Sequence, residues 1–590
     1  MLCTALVAWA CGAPGSDDDL AAATAGSVRG AGGGGAEVAR LTLPTQDTLP
    51  SDSVADLPHA TADARPVAVT GKSIRVGPRD NLQRALNRAQ PGDAVLLAPG
   101  ATYEGNFTLP TRRCTAGAWI TVRTDTPDDS LPAEGERITP VFSPRLAKIV
   151  TPNARPALST INPTCQWRLF ALEITGTLPV STIQYGLVLI GDGGDRSSGE
   201  TQTSVDRIPA DFILDRLYIH GTPTLNTFRC LAINSARTAV VNSWLSECHA
   251  KGFDSQAIEG WNGPGPYLIE NNTLEGAGEN VMFGGADAGI PKLTPSDITI
   301  RRNHIRKPPE WKGAWSVKNL FELKHARRVL VEGNVFENNW ADGQAGVAIV
   351  LKSTNQSGGN PWAQTSNVTF RYNIVRNSPQ GLIIAAAPDV VGDKYPVIPA
   401  TRFRVEQNFF DHIGTFNGST NGNMLLLLNN LSNVTVAHNT FAFNYDEGLF
   451  LTLETAPPGS ASNIEITDNI TTKARYYSII HSGIKVGTES MNAFAGSRWK
   501  FARNVIVGVG REYVSYHPPG NSYPATMDEV GFVDWRTGDY RLKGGSQFTG
   551  RGAKGTNPGA DLGRIARETA NVIVSPTGRQ ARDAGTPPTR

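Results

Sequence analysis

One short pattern recurs nine times along this chain: a block of alternating apolar residues, two intervening positions, an asparagine, and an apolar residue two further on. The instances are TAVVNSW (Asn242), YLIENNTL (Asn272), ITIRRNHI (Asn303), VLVEGNVF (Asn334), VTFRYNIV (Asn373), FRVEQNFF (Asn408), VTVAHNTF (Asn439), IEITDNIT (Asn469) and WKFARNVI (Asn504). Successive asparagines are 30, 31, 31, 39, 35, 31, 30 and 35 residues apart. A period this long, built from segments with two-residue alternation, assigns one coil of a solenoid to each repeat. The alternate Val, Ile and Phe side chains point inward and stack on the coils above and below. The asparagine marks a tight bend whose unpaired backbone groups a stacked amide ladder satisfies. The expected fold is all-β: a single-stranded right-handed parallel β-helix whose longer coils carry loops on one side.

Ahead of the repeats, NLQRALNRAQPGDAVLLAPG predicts a capping helix with Leu82, Ala85, Leu86 and Ala89 on its apolar face. Asp80 or Asn81 caps it, Pro91-Gly92 stops it, and a strand over Ala94 to Ala98 follows. The organisation expected is a signal-like segment over 1–11, a disordered low-complexity linker over 12–70, the β-helix over 71–565 and a flexible tail over 566–590. The opening MLCTALVAWACG resembles the end of a bacterial lipoprotein signal with Cys11 as the lipidated residue. It places the protein outside the cytoplasm, secreted or held at the cell surface, with a lipid anchor at Cys11 as the one membrane contact and a monomer as the assembly. Cys114, Cys165, Cys230 and Cys248 then suit two disulfides, with the pairing left open. A balance of 55 basic against 54 acidic residues excludes a protein that wraps nucleic acid along its length.

The capping segment NLQRALNRAQPGDAVLLAPGATYEGNF, the asparagine-marked coils and the closing VGFVDWRTGDYRLKGGSQFTGRGAKGTNPGADLG resemble the pectin-lyase-like β-helix superfamily over roughly residues 71 to 565. The resemblance implies the fold. It does not choose a reaction, because this scaffold carries lyases, hydrolases, esterases, epimerases and adhesins.

Between Arg301 and Arg328, nine Lys and Arg face only Glu310 and Glu322, a surplus of seven positive charges in 28 residues. With Trp311 and Trp315 among them, these cations predict a groove for an acidic polysaccharide, in which indole rings stack on sugars and cations receive carboxylates. Arg302, Lys307, Trp261, Trp311, Trp315 and Asn280 are the expected substrate contacts. Register then selects the chemistry. Phe321 and Leu323 face the core, so Glu322 and Lys324 project outward, and one coil later Ile349 and Leu351 put Lys352 outward beside Lys324. Gly284 takes the matching place one coil earlier and leaves room for substrate. Two adjacent lysines depress each other's affinity for protons, which makes one of them a base for the proton α to a uronate carboxylate.

That arrangement suits β-elimination. It is similar to the alginate- and chondroitin-cleaving β-helix lyases, where a lysine and an arginine on neighbouring coils are base and acid, in motifs like (V/N)KS and then LRHG…VEGNFF. Here ELKHARRVLVEGNVF precedes VLKSTNQ, in the reverse order. The resemblance implies Lys324 as one partner and Lys352 or Arg328 as the other, with Glu322 and His325 alongside. Asp254, Glu259, Glu279 and Asp287 are expected oxygen ligands for a calcium ion bridging the polymer. A glycoside hydrolase would use Glu279 with Glu322, or Asp254 with Glu259, as paired carboxylates. A non-catalytic surface protein would bind glycans through the same groove.

Overall fold

A computed structural model describes Leu43 and residues 54–577, apart from 115–116, 161–162, 178–181, 184–185, 388–394, 446–447, 456, 475–476 and 482–484. The expected leader and Cys11 lie outside the described residues. The chain winds as the right-handed parallel β-helix that the repeat implies. Each coil gives one strand to each of three long parallel sheets, one of 14 strands (sheet A) and two of 13 (sheets B and C). In one coil these are Ser296–Arg301 in A, His304–Arg306 in B and Asn319–Leu323 in C. Alternate residues face inward, and Ile300, Ile305, Phe321 and Val331 belong to one continuous buried core.

The bend from sheet A to sheet B carries the amide ladder. The Asn303 N–H donates to Asn334 Oδ1 at 2.9 Å, and Asn303 Nδ2 donates to Asn334 Oδ1 at 3.0 Å and to Ile269 O at 2.8 Å. The same bonds repeat from Asn272 to Asn504, and the ladder ends on Asn521. Asn242 is not a rung of it. Trp244 pairs with Thr273, so Ser243 stands opposite Asn272, and the Ser243 N–H donates to Asn272 Oδ1 at 2.8 Å. Asn242 instead occupies the left-handed position before the bend, with φ 55°, as Asn271 does in the next coil.

Two charge ladders flank the asparagines. On sheet A, Glu270, Arg301, Glu332, Arg371 and Glu406 pair in register; on sheet B, Glu275, Arg306, Glu337, Arg376 and Asp411 do the same. Sign alternates coil by coil, and neighbours meet at 2.8 Å for Arg301 with Glu270, 2.8 Å for Arg371 with Glu332 and 2.6 Å for Arg376 with Glu337.

The capping helix runs Leu82–Arg88, its first turn closed by Asn81 Oδ1, and the following strand is Ala94–Leu97. Two segments expected to be loose are fastened along the solenoid. Residues 54–70 hold no helix or strand, yet the Asp56 N–H donates to Asn367 Oδ1 and the His59 N–H to Asp297 Oδ1, and Ala62 packs with Ala239, Val241 and Leu268. The expected linker therefore ends before residue 54, because this arm finds carboxylate and amide acceptors at the bulged positions of sheet A. The expected tail is also bound at its start. The helix Leu562–Glu568 crosses residue 565, Arg302 donates to Glu568 O and Ala570 O, and Arg137 donates to Val572 O. The disulfides are Cys114–Cys165 and Cys230–Cys248; the second joins a sheet C strand to the following sheet B strand.

Candidate active site

Sheet C carries the chemistry on its outer face. Phe283 pairs with Leu323 and Leu323 with Leu351, so the residues that follow, Gly284, Lys324 and Lys352, stand on three successive rungs. Glu322 lies between the lysines with no solvent exposure; its Oε1 is 3.2 Å from Lys352 Nζ and 3.9 Å from Lys324 Nζ. Asn319 Nδ2 donates to its other oxygen at 2.9 Å. Burial alone would raise this carboxyl, but Lys324 and Lys352 outweigh it and bring Glu322 down to about 2. The expectation of two lysines depressing each other thus omitted the carboxylate between them, whose negative charge offsets their repulsion.

A second carboxyl, Glu279, sits one rung earlier, opposite Asn319. Gln256 Nε2 donates to its Oε2 at 2.8 Å, Lys318 Nζ lies 3.7 Å from Oε1, and the same Lys318 contacts Asp254. Burial, reinforced by Asp254, raises Glu279 to about 7, against the pull of Lys318. Glu259, a rung further back, is also raised by burial, opposed by its partner Arg229. The result is a set of four cations, Arg229, Lys318, Lys324 and Lys352, and four carboxyls, Asp254, Glu259, Glu279 and Glu322, in which buried Glu279 is pushed up and buried Glu322 down. The side chains of Asp254, Arg229, Lys318, Lys352 and Lys324 are 42%, 22%, 19%, 12% and 8% exposed, so the outer layer of the set holds one carboxylate beside its cations.

Several expected residues lie elsewhere. Arg328 is on sheet A, where its guanidinium grips Asp297 at 2.7 and 2.8 Å. Arg302 holds the C-terminal segment. Lys307 is fully buried and donates to Gly276 O, Ala277 O, Gly278 O and Asn280 Oδ1 at 2.7 to 3.0 Å; burial drives its affinity for protons far down, against the pull of Glu279. Asn280 is spent on that lysine and on Leu274 O and Arg306 O. Trp311 is buried in an apolar cluster with Trp340, and Trp315 stacks on His249 at 3.7 Å. Trp261 alone of the three tryptophans borders the site, beneath Arg229 at 5.2 Å. His325 is buried against Thr294 Oγ1 at 2.9 Å, and burial followed by Arg327 lowers it to about 3. Gly284 leaves no space for substrate: a Cβ there would meet His325 N at 2.8 Å and Lys324 Cβ at 2.9 Å.

The carboxylates proposed for calcium do not fit that ion. Asp287 accepts three backbone N–H groups from Gln356, Ser357 and Gly359, Glu259 holds Arg229, and Asp254 and Glu279 share Lys318. Among the described residues no group of three or more His, Cys, Asp or Glu is placed to hold a metal. The surplus of cations between 301 and 328 is also accounted for: Arg301 and Arg306 face Glu270 and Glu275 from the preceding coil. A cavity of about 740 Å³ lies away from sheet C, where the N-terminal arm, the C-terminal segment and the Pro132–Phe142 loop meet. Its arginines, Arg137 and Arg302, are occupied by backbone carbonyls. Arg229, Gln256 and Asn319 were not singled out from sequence; counting back from Lys324 in sheet C register would have found them, since Arg229, Gln256, Glu279 and Asn319 form one column.

No family model and no curated protein matches this chain. Solved structures do. A mutant of AlyGC, an alginate lyase of the PL6 family, aligns at 12% identity with a TM-score of 0.39 over 76% of this chain and 53% of its own, so this chain spans about half its length. Pectate lyase Pel9A aligns at 11% identity and TM-score 0.31 over 82% and 93%, and the Dettilon tailspike protein at 13% and 0.37 over 78% and 69%. Likeness at this level carries no argument about reaction; the β-helix stands on its own strand register.

Proposed function

We propose that this chain is an exported β-helix enzyme that cleaves a uronate-containing polysaccharide by β-elimination. The observation that carries the reading is Glu322 Oε1 between Lys352 and Lys324 at 3.2 and 3.9 Å on successive rungs. Rungs stack about 4.8 Å apart, close to the length of one sugar residue, so a polymer lying along the axis meets neighbouring lysines with neighbouring sugars. Lys352 is the lysine closer to Glu322 and takes the part of the acid, with Lys324 as the base. Lys324, as the amine, takes the proton from sugar carbon five while ammonium groups compensate the uronate carboxylate. The electron pair forms the double bond to carbon four, the carbon–oxygen bond to the leaving sugar breaks, and Lys352 gives that oxygen a proton. Water then restores both lysines. Glu322, ionised throughout, fixes the two nitrogens relative to each other.

A second reading has its own support. Glu279 raised to about 7 and Glu322 lowered to about 2 are carboxyls whose environments separate them, as an acid and an ionised partner of a glycoside hydrolase require. Incubation with alginate, pectate, chondroitin and heparin decides. Ultraviolet absorbance from an unsaturated uronate is the outcome expected. New reducing ends without that absorbance assign hydrolysis, and binding without either assigns a glycan-binding surface protein.

A further inference from the structure

The charged set on sheet C has an aromatic border that no role above uses. Phe253 is 57% exposed, unusual for a side chain of its size, and it pairs with half-buried Phe228 at a ring separation of 5.2 Å and an angle of 41°. Each ring adjoins a member of the site: Phe228 precedes Arg229, which holds Glu259, and Phe253 precedes Asp254, which holds Lys318. The loop that carries Phe253 is pinned at the two residues before the ring. The Lys251 N–H donates to Asn226 Oδ1 at 3.0 Å, and the N–H of Gly252, whose φ is 77°, donates to Ser316 Oγ at 2.7 Å. Phe228 is tied to the sheet as well, because its carbonyl accepts from Gln256, the residue whose side chain reaches Glu279.

We infer that Phe253, backed by Phe228, is a platform for a sugar ring of the polymer, two rungs before Lys324 and three before Lys352. The inference rests on the polysaccharide reading above. An exposed aromatic ring beside charged groups matches a sugar, which has an apolar C–H face and a polar edge: the ring covers the first, and Asp254, 42% exposed, together with its partner Lys318 meets the second. The pinned loop presents the ring with little entropy left to lose on binding. The platform contacts a sugar distant from the bond that breaks, so it contributes to affinity and not to the chemical step.

The test uses the full chain with hexasaccharides of uronate and of neutral sugars, titrated calorimetrically against wild type, Phe253→Ala and Phe253→Trp, with steady-state kinetics on any oligosaccharide that is cleaved. Phe253→Ala is expected to weaken binding of the oligosaccharides that bind wild type about tenfold, raising KM with kcat unchanged. Phe253→Trp is expected to retain wild-type affinity, which distinguishes stacking from a merely structural role. Equal affinity of Phe253→Ala and wild type overturns the platform, as does failure of every hexasaccharide to bind wild type. Binding that depends on Phe253 without any turnover overturns the enzyme reading and leaves the platform standing.

Discussion

At the corner between sheets A and B, acid and base alternate on five successive coils, whereas on sheet C two lysines occupy successive rungs with one carboxylate between them. Both arrangements stack charge along the same axis at the same spacing, but they do different work. The corner ladders match each charge with its neighbours, and a slip by one coil would set like charge against like, so alternation specifies register. The sheet C set instead places four cations and four carboxyls without strict alternation, and one of its buried carboxyls is raised to about 7 and another lowered to about 2. The corner holds perturbed carboxyls too, Glu275 raised to about 7 by burial and Glu337 held, against burial, well below the usual carboxylate range by His304 and Arg376; what sets sheet C apart is two lysines on successive rungs sharing one carboxylate.

Substitutions can sharpen that contrast or break it. A large effect is expected for Lys352→Ala, which removes the proton donor and should lower kcat about a thousandfold; it also leaves the buried Glu322 carboxylate with Lys324 at 3.9 Å, so the melting temperature falls as well. Glu322→Gln comes next: it leaves two cations facing each other beside a buried amide, and chemical denaturation should show a loss of about 3 kcal/mol or more. Glu279 has a folded-state value raised from 4.5 to about 7, so the folded protein binds this proton more tightly than the unfolded chain. Its contribution is present below 4.5 and lost as pH rises toward 7, a decline of about 3 kcal/mol. Glu322 behaves oppositely, its contribution being lost as pH falls from 4.5 through about 2. Stability measured across pH should therefore fall between 4.5 and 7 in wild type, where Glu275 is raised to about 7 as well, and the slope should be shallower in Glu279→Gln. The smallest effect belongs to the corner: Arg371→Glu sets three acidic residues in a row and should cost about 1 kcal/mol while leaving kcat intact. A large loss of kcat there would erase the distinction between the two regions.

The fold was legible because nine asparagines mark the coils, and their spacing is a property of the chain itself. The one misplaced rung, Asn242, arises because asparagine suits both the left-handed position and the ladder position next to it. The pairing of Lys324 with Lys352 was legible through strand alternation. The cation surplus misled because its compensation comes from the preceding coil: Glu270 and Glu275 lie 31 residues before Arg301 and Arg306. Yet those charges recur two residues before and three after each ladder asparagine from Asn272 to Asn408, with sign alternating from coil to coil, so stacking those repeats would have exposed the match. Lys307 had no such signal. Its ammonium is enclosed by carbonyls of a turn whose path only the folded chain defines.

The direct trial of the sheet C assignment is the initial rate at which wild type and Lys324→Ala form unsaturated uronate from the polymer that wild type cleaves fastest, with circular dichroism confirming that both are folded. The account predicts that the folded variant produces none above background. A folded Lys324→Ala that works at the wild-type rate would contradict it.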